Sequence, residues 1–402
     1  MAEKSSFFEH LRSLFDRQNI ASTKKGRLSG PLSSFYLGGL VPVLLLVCYG
    51  TVIIWSASRT IADVSFPRHL LGIIMGFAVA IAIWRSDYRV MQSSSIVLFV
   101  IIVGLIVLPN VPGFGISAKG MTGWVKIPLV GLRFQPSEIV KVLTIFLMAG
   151  LGAEYNGKID TLQDYFKICG VLAAIFAILI IQDLGTGLIV FVVGASIIIM
   201  SGAKKSWVLI TIGLVVAVAA LVVGLSLADN VPHALKLLKA YQLKRLLVFV
   251  DPSVDPAGDG YNLLQAKIAV GSGGLFGKGI GNASQAWSGF LPEAHTDFVF
   301  ALLAEEFGFM GATLLLALFG WAIFSTIWLA RRFESPYAKL LLAGVATMWT
   351  FQLLQNVGMC IGIMPITGIP LPFISFGSSS MVVQLSAAGI IQSIWHHRPK
   401  AA

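Results

Sequence analysis

WVLITIGLVVAVAALVVGLSL, residues 207–227, runs its whole length without one ionisable side chain. A bilayer core takes about 20 mostly apolar residues to cross as a helix, so this stretch predicts a membrane span. Outward from it, comparable runs lie at 35–55, 69–84, 91–108, 136–152, 168–181, 185–201, 298–329, 340–360 and 376–395. The 402-residue chain is 56% hydrophobic and 12% charged, against about 25% charged in a soluble domain. The predicted fold class is an all-α integral membrane protein of about ten transmembrane helices. The run 298–329 is too long for one upright span and predicts a tilt, a break or a start outside the bilayer.

Lysines and arginines set the orientation. With both termini in the cytoplasm, the inner side collects Lys24, Lys25, Arg27, Arg85, Arg89, Lys158, Lys204, Lys205, Arg331, Arg332, Lys339 and Arg398, among others. The short outer loops hold only Arg59, Arg68, Lys119, Lys126 and Arg133. The net charge of +10 is thus a topology signal scattered between apolar runs, not a nucleic-acid face. Three regions follow: a cytoplasmic segment 1–34, a transmembrane domain 35–395 with a long extracytoplasmic loop 228–297 between spans seven and eight, and a cytoplasmic tail 396–402. In the first, Phe7, Phe8, Leu11, Leu14 and Phe15 recur at helical spacing and predict a helix flat on the inner leaflet. Its polar, basic character predicts no cleavable signal peptide. Cys48, Cys169 and Cys360 match no disulfide or zinc pattern and read as small buried packing residues.

Ionisable residues at membrane depth are costly and need a partner or a task. In QPSEIVK, residues 135–141, Pro136 suits a first helical turn, and Glu138 and Lys141 share one face, as a structural ion pair or as the floor of a polar cavity. In QDLGTG, residues 182–187, Asp183 reads as a helix cap. Glu305 and Glu306 lie about 12 Å deeper than Asp297 on a continuous helix. FLPEAHTDFVF, residues 290–300, crowds Glu293, His295 and Asp297 at the outer surface, and capping explains at most the last. Ahead of it, GYNLLQAKIAVGSGGLFGKGIGN, residues 260–282, predicts a short surface helix and then a glycine-rich loop, a weak phosphate-binding cue without the Ser or Thr of a Walker motif. TGIPLPFISFGSSSMV, residues 367–382, carries two prolines that forbid regular helix, so it lines a cavity.

Taken in order, FQPSEIVK, QDLGTG, GYNLLQAKIAVGSGG with GKG, LPEAHTDF with AEEFGFMG, and NVGM with MPITGIPLPFISFGSSS resemble the SEDS proteins (shape, elongation, division and sporulation). Within that family, IAVGSGGLFGKG and GIPLPFISFG look more like the elongation (RodA-like) branch than the division (FtsW-like) branch. The family's SYGGSS is SFGSSS here, with Phe376 and Ser378 as departures. The resemblance implies a peptidoglycan glycosyltransferase of the bacterial cytoplasmic membrane. Such an enzyme polymerises lipid II into a nascent glycan strand for cell elongation and shape, paired with a class B penicillin-binding protein. It also implies an essential aspartate at Asp297 and cavity residues at Arg133, Gln135, Glu138 and Lys141.

The chemistry asks for such a set. A sugar hydroxyl is a weak nucleophile, and a positioned carboxylate base is worth about 10²–10⁴-fold. Pyrophosphate leaves readily and needs cations rather than a proton, a role open to Arg133, Lys141, Arg245 and Lys267. Glu293 is placed to tune Asp297 or to help hold a divalent cation, Mg or Mn. Ser137, His295, Thr296 and Ser379 complete the candidate substrate-binding set. An α donor and a β product predict inversion by single displacement. The rival from another class is a lipid-linked precursor flippase, built on Glu138, Lys141, Asp183, Glu305 and Glu306 as a polar path. The gathering of motifs on the outer side favours the enzyme.

Overall fold

Hydrocarbon offers the backbone no hydrogen-bond partners, so each apolar run closes its bonds internally as helix. The structure, a computed structural model, describes residues 31–118, 121–126, 133–227 and 240–398. The expected amphipathic segment before residue 31, residues 228–239 of the long loop and the end of the tail lie outside them. Seven helices run in order before the long loop: α1 (Leu37–Ser58), α2 (Phe66–Arg85), α3 (Ser95–Val107), α4 (Pro136–Ala153), α5 (Leu162–Ile180), α6 (Leu184–Met200) and α7 (Lys205–Leu227). The loop carries α8 (Ala240–Val250) and α9 (Asp259–Ser272), and α10 (Val299–Ala330), α11 (Pro336–Ile361) and α12 (Ser378–His396) follow. Among the described residues, seven of these (α1, α2, α4, α5, α7, α10 and α11) are long and apolar enough to cross a membrane. α3 and α6 are apolar but shorter, and α12 falls on the last predicted span.

Helix starts follow local chemistry. Pro136 and Pro336 occupy first turns, where a missing N–H costs nothing. Asp183 accepts the backbone N–H of Thr186 at 3.0 Å, the predicted cap. α4 and α11 form the centre, with 78% and 72% of their apolar windows buried, whereas none of the α7 window is buried. α2 and α12 meet through small residues, since a side chain on Gly72 would strike the Ser378 backbone and one on Gly389 that of Ala80. Cys360 is buried and Cys169 half-buried as expected, but Cys48 is exposed on the outer face of α1. The outer loop after α3 departs from an all-α reading. It forms a small antiparallel sheet of β1 (Gly115–Ala118), β2 (Met121–Lys126) and β3 (Arg133–Phe134) in that order, pairing Val125 with Phe134 and Lys126 with Arg133.

The long run 298–329 is a broken helix. At Gly308 (φ 66°, ψ −163°) α10 interrupts its own ladder. Two helical bonds are lost, and the glycine-rich loop supplies four in exchange. Phe309 and Met310 donate to the carbonyls of Gly274 and Leu275, while Lys278 and Gly279 donate to those of Glu305 and Glu306, all at 2.9–3.1 Å. No buried backbone group at the break is stranded. The glycines of this loop therefore serve close backbone contact with α10: a side chain at Gly273 or Gly277 would overlap the α10 backbone. The phosphate-binding cue is explained by packing. Glu305, fully buried, accepts from Lys278 at 2.6 Å, the Ser284 hydroxyl at 3.0 Å and the Gln285 N–H at 3.1 Å. Glu306 accepts from the Ser56 hydroxyl on α1 and from the Gly281 N–H. Both carboxylates are fasteners between loop and helix.

Gly308→Ala is expected to destabilise the protein by at least about 1–3 kcal/mol, because that backbone region is nearly glycine-only. Gly320→Ala, on the same helix with open space around it, is expected to be neutral or gain up to about 1 kcal/mol. Thermal unfolding of both variants in detergent checks the pair.

Candidate active site

LPEAHTDF folds into tight turns ahead of α10. Glu293 adopts φ 57°, rare for a side-chain-bearing residue. Its carbonyl accepts the N–H groups of Thr296 and Phe298, both at 3.1 Å, and its carboxylate accepts the Thr296 hydroxyl at 2.7 Å. Phe298 takes the N-cap position without a side-chain cap bond, so Asp297 is not used as a helix cap. Asp297 is half-buried. Behind it, the fully buried Asn356 donates its amide hydrogens to the carbonyls of Asp297 and Ile369, each at 2.8 Å. His295 and Thr296 are anchored from α12's leading segment: Phe376 N–H donates to the His295 carbonyl at 2.9 Å, and the Ser375 hydroxyl to the Thr296 carbonyl at 2.7 Å. The His295 ring is buried against Phe376, with centroids 5.6 Å apart. His295 packs beneath the site.

Asp297 and Arg245 both approach Gly368. A Cβ built on Gly368 would sit 3.3 Å from Asp297 Oδ2 and 3.6 Å from Arg245 Nη1, and φ 70° there requires glycine. Arg245 comes from α8, which is tied to α9 by Lys244 pairing with Asp255 at 2.8 Å and by Asp259 N–H donating to the same carboxylate. The Lys244 ammonium holds the Asp255 carboxyl below the usual carboxylate range. Arg245 Nε itself lies 3.6 Å from Asp259 Oδ2. Lys267, exposed on α9, lays its chain over Gly362 at the end of α11.

The start of α4 approaches from the other side. Asp183 does more than cap α6: its Oδ2 accepts from Gln135 Nε2 at 3.1 Å, Ser137 Oγ at 3.2 Å and Thr186 Oγ1 at 2.7 Å. Gln135 N–H donates to Ser379 Oγ at 3.3 Å, bringing in the start of α12. A Cβ on Gly185 would lie 2.9 Å from the Thr367 carbonyl. Thr367–Ile369 is thus the hub: α6 abuts it at Gly185, with the start of α4 tied to α6 through Asp183, and Asp297 and Arg245 meet it at Gly368. Glu138 and Lys141 lie just below and pair at 2.8 Å with both side chains almost fully buried. Lys141 is therefore already neutralised. Arg133 opens β3 directly before Gln135, and its side chain lies outside the described residues.

The family model described as "Cell cycle protein", covering FtsW, RodA and SpoVE, matches residues 39–400. The chain belongs to the FtsW/RodA/SpoVE family. Among its relatives, the peptidoglycan glycosyltransferase MrdB of Escherichia coli K12 is 35% identical over 365 residues, covering 89% of this chain and 93% of that protein. The stage V sporulation protein E of Bacillus subtilis is 33% identical over 88% of this chain and 95% of its own length. A probable FtsW of a Geobacter species is 31% identical over 88% and 95%. Among solved structures, a chain from a peptidoglycan synthase complex that coordinates polymerization and crosslinking superposes with a TM-score of 0.74 at 25% identity, covering 91% of this chain and 99% of that one. Thermus thermophilus RodA shares the fold, with a TM-score of 0.64 at 24% identity over 91% and 98%.

In this FtsW/RodA/SpoVE chain the predicted Asp297 and Arg245 meet at Gly368, the predicted Gln135, Ser137 and Ser379 are tied together around Asp183 and the start of α4, and Lys267 lies over Gly362. Glu293 turns its carboxylate toward Thr296, and among the described residues no three His, Cys, Asp or Glu side chains gather as a metal cluster. Asp183, Asn356 and Gly368 are the site residues that sequence reasoning missed. Asp183 had a signal, since a capping carboxylate beside the QPSE motif's level has a second oxygen to offer.

Removing one member of a buried ion pair costs about 3–5 kcal/mol, whereas replacing both by apolar residues is often neutral. Lys141→Met is accordingly expected to lower stability by that amount, and Glu138→Leu with Lys141→Met to restore it. Chemical denaturation in detergent measures both; restored folding with activity still lost assigns the pair a role with substrate as well.

Proposed function

We propose that this protein is a peptidoglycan glycosyltransferase that polymerises lipid II at the outer face of the bacterial cytoplasmic membrane. The observation that carries this is the half-buried Asp297 beside Arg245, both at Gly368, at the outer end of the family's helical membrane fold. Lipid II presents a disaccharide on a lipid pyrophosphate, so both reacting sugars lie at this depth. Asp297 removes the proton of the acceptor's 4-hydroxyl. The oxygen attacks the anomeric carbon of the donor, the carbon–oxygen bond to pyrophosphate breaks, and the electron pair leaves with the diphosphate. Arg245, with Lys267 beside it on the neighbouring helix, stabilises that growing charge through charge-assisted hydrogen bonds, a role the sequence also offers to Arg133. One displacement inverts the anomeric centre, and no covalent Asp297 intermediate is needed.

Lys141 does not serve as a free cation, because Glu138 cancels it. It acts by keeping the start of α4, with Gln135 and Ser137, in register. A divalent cation would find the Asp297 carboxylate and the diphosphate oxygens, a donor set that suits magnesium, and no step above is routed through it. The greater identity to MrdB than to the FtsW and sporulation relatives supports the elongation branch. The relatives' synthase complex supports a class B penicillin-binding protein as partner, linking polymerisation to crosslinking.

Asp297→Asn is expected to fold and keep its partner yet lose polymerisation of lipid II in detergent by at least about 10²-fold. Arg245→Ala is expected to weaken turnover more than Arg245→Lys, since a guanidinium grips phosphate with two bonds. Gel analysis of glycan strands reads both. Activity of Asp297→Asn near that of the unaltered protein would remove the base assignment, and strands made in detergent exclude a flippase as the sole activity.

A further inference from the structure

Three fully buried side chains in the centre of the bundle form a chain of hydrogen bonds. Trp349 Nε1 on α11 donates to Gln384 Oε1 on α12 at 2.9 Å, and Gln384 Nε2 donates to Gln352 Oε1, back on α11, at 2.9 Å. An indole is a donor only, so Trp349 sets the direction of both amides. Each accepts on the Trp349 side and donates on the other. The chain therefore ends on a donor, Gln352 Nε2, which is buried and has no partner among the described residues. A buried donor left unmet is destabilising.

A matching acceptor stands at the same depth. Gly344 of α11 packs on Ile145 of α4, where a Cβ would lie 2.8 Å from the Ile145 side chain. The two helices run in opposite senses. Counted toward the outer face from that contact, Gln352 stands about 12 Å and Glu138 about 10.5 Å above it. Glu138 Oε1 accepts from Lys141 at 2.8 Å, while Glu138 Oε2 is buried without a partner among the described residues. The Lys141 ammonium, also buried, has further hydrogens to give beyond that bond.

We propose that one internal water joins these groups, donating to Glu138 Oε2 and accepting from Gln352 Nε2 and Lys141 Nζ, and that Gln352 is thereby a positioning residue for the start of α4. Three polar partners are the usual complement of a buried water. A cation in that place would face two donors and an anion would face a carboxylate, whereas water serves both kinds. Asn356 stands one turn beyond Gln352 on the same side of α11, and its amide holds the Asp297 carbonyl. α11 thus fixes the Asp297 turn with one amide and, through the water, the helix that carries Gln135 and Ser137 with the other. This role in the reaction rests on the glycosyltransferase reading; the polar link itself does not.

The near-isosteric Gln352→Met, which has no donor, is compared by chemical denaturation in detergent in two backgrounds: the unaltered chain, and the chain carrying Glu138→Leu with Lys141→Met. Loss of the partner of Gln384 is common to both and cancels. The substitution is expected to lower the folding equilibrium constant about tenfold more in the unaltered background, the worth of one hydrogen bond to a charged group. In lipid II polymerisation it is expected to raise KM about tenfold with kcat little changed, the mark of weakened substrate binding. A merely structural role lowers kcat through a smaller active fraction and leaves KM alone. A cryo-EM map that resolves ordered waters is expected to show one touching all three groups. Equal costs in the two backgrounds, an unchanged KM or a map without that water overturns the proposal. Coupling between Gln352 and the ion pair in a protein that polymerises no lipid II keeps the link and removes the proposed function instead. Should the apolar background fail to fold, KM and the map decide.

Discussion

Where water is excluded, a backbone N–H or carbonyl without a partner costs several kcal/mol, and that constraint governs the outer half of this protein. α10 gives up its own bonds at Gly308, yet every group so released is met by the loop running from Gly274 to Gly279. The exchange explains three features together: glycines in the loop, a glycine in the helix, and carboxylates at 305 and 306 that fasten one to the other. It also fixes where α10 begins, and so where Asp297 stands.

The same constraint shapes the segment between α11 and α12. Pro370 and Pro372 cannot continue a helix, so the carbonyls around them need partners from elsewhere. Asn356 provides one for Ile369 and one for Asp297 from a single amide, making the turn that carries Asp297 and the proline segment one unit. Charge is arranged as economically. Lys141 is matched by Glu138 inside the bundle, while Arg245 reaches the Asp297 side from a surface helix. Arg245 is itself paired at the outer surface, its Nε 3.6 Å from Asp259 Oδ2.

Much of this was legible in the sequence. The spans were, because twenty apolar residues have one stable arrangement in hydrocarbon, and helices occur at all ten predicted runs. The length of 298–329 called for a tilt, a break or a start outside the bilayer without choosing among them, and Asp297 stood out from the crowding of polar groups around it. The small sheet was not, since Gly115–Ala118 and Arg133–Phe134 are too short to carry an alternating pattern. The glycine loop was legible as a place of close approach but not as to what approached it, because its partner lies some thirty residues on in the chain. Asp183 and Asn356 act through contacts from Gln135 to Asp183 and from Asn356 to Asp297. Periodicity holds no information about such pairs.

Gly368 is a residue defined by what it lacks. With the carboxylate of Asp297 and the guanidinium of Arg245 both within van der Waals range of its missing carbon, the space beside those two groups stays open because residue 368 brings no side chain of its own. A shift of the proline segment would change that space while leaving Asp297 and Arg245 themselves unaltered.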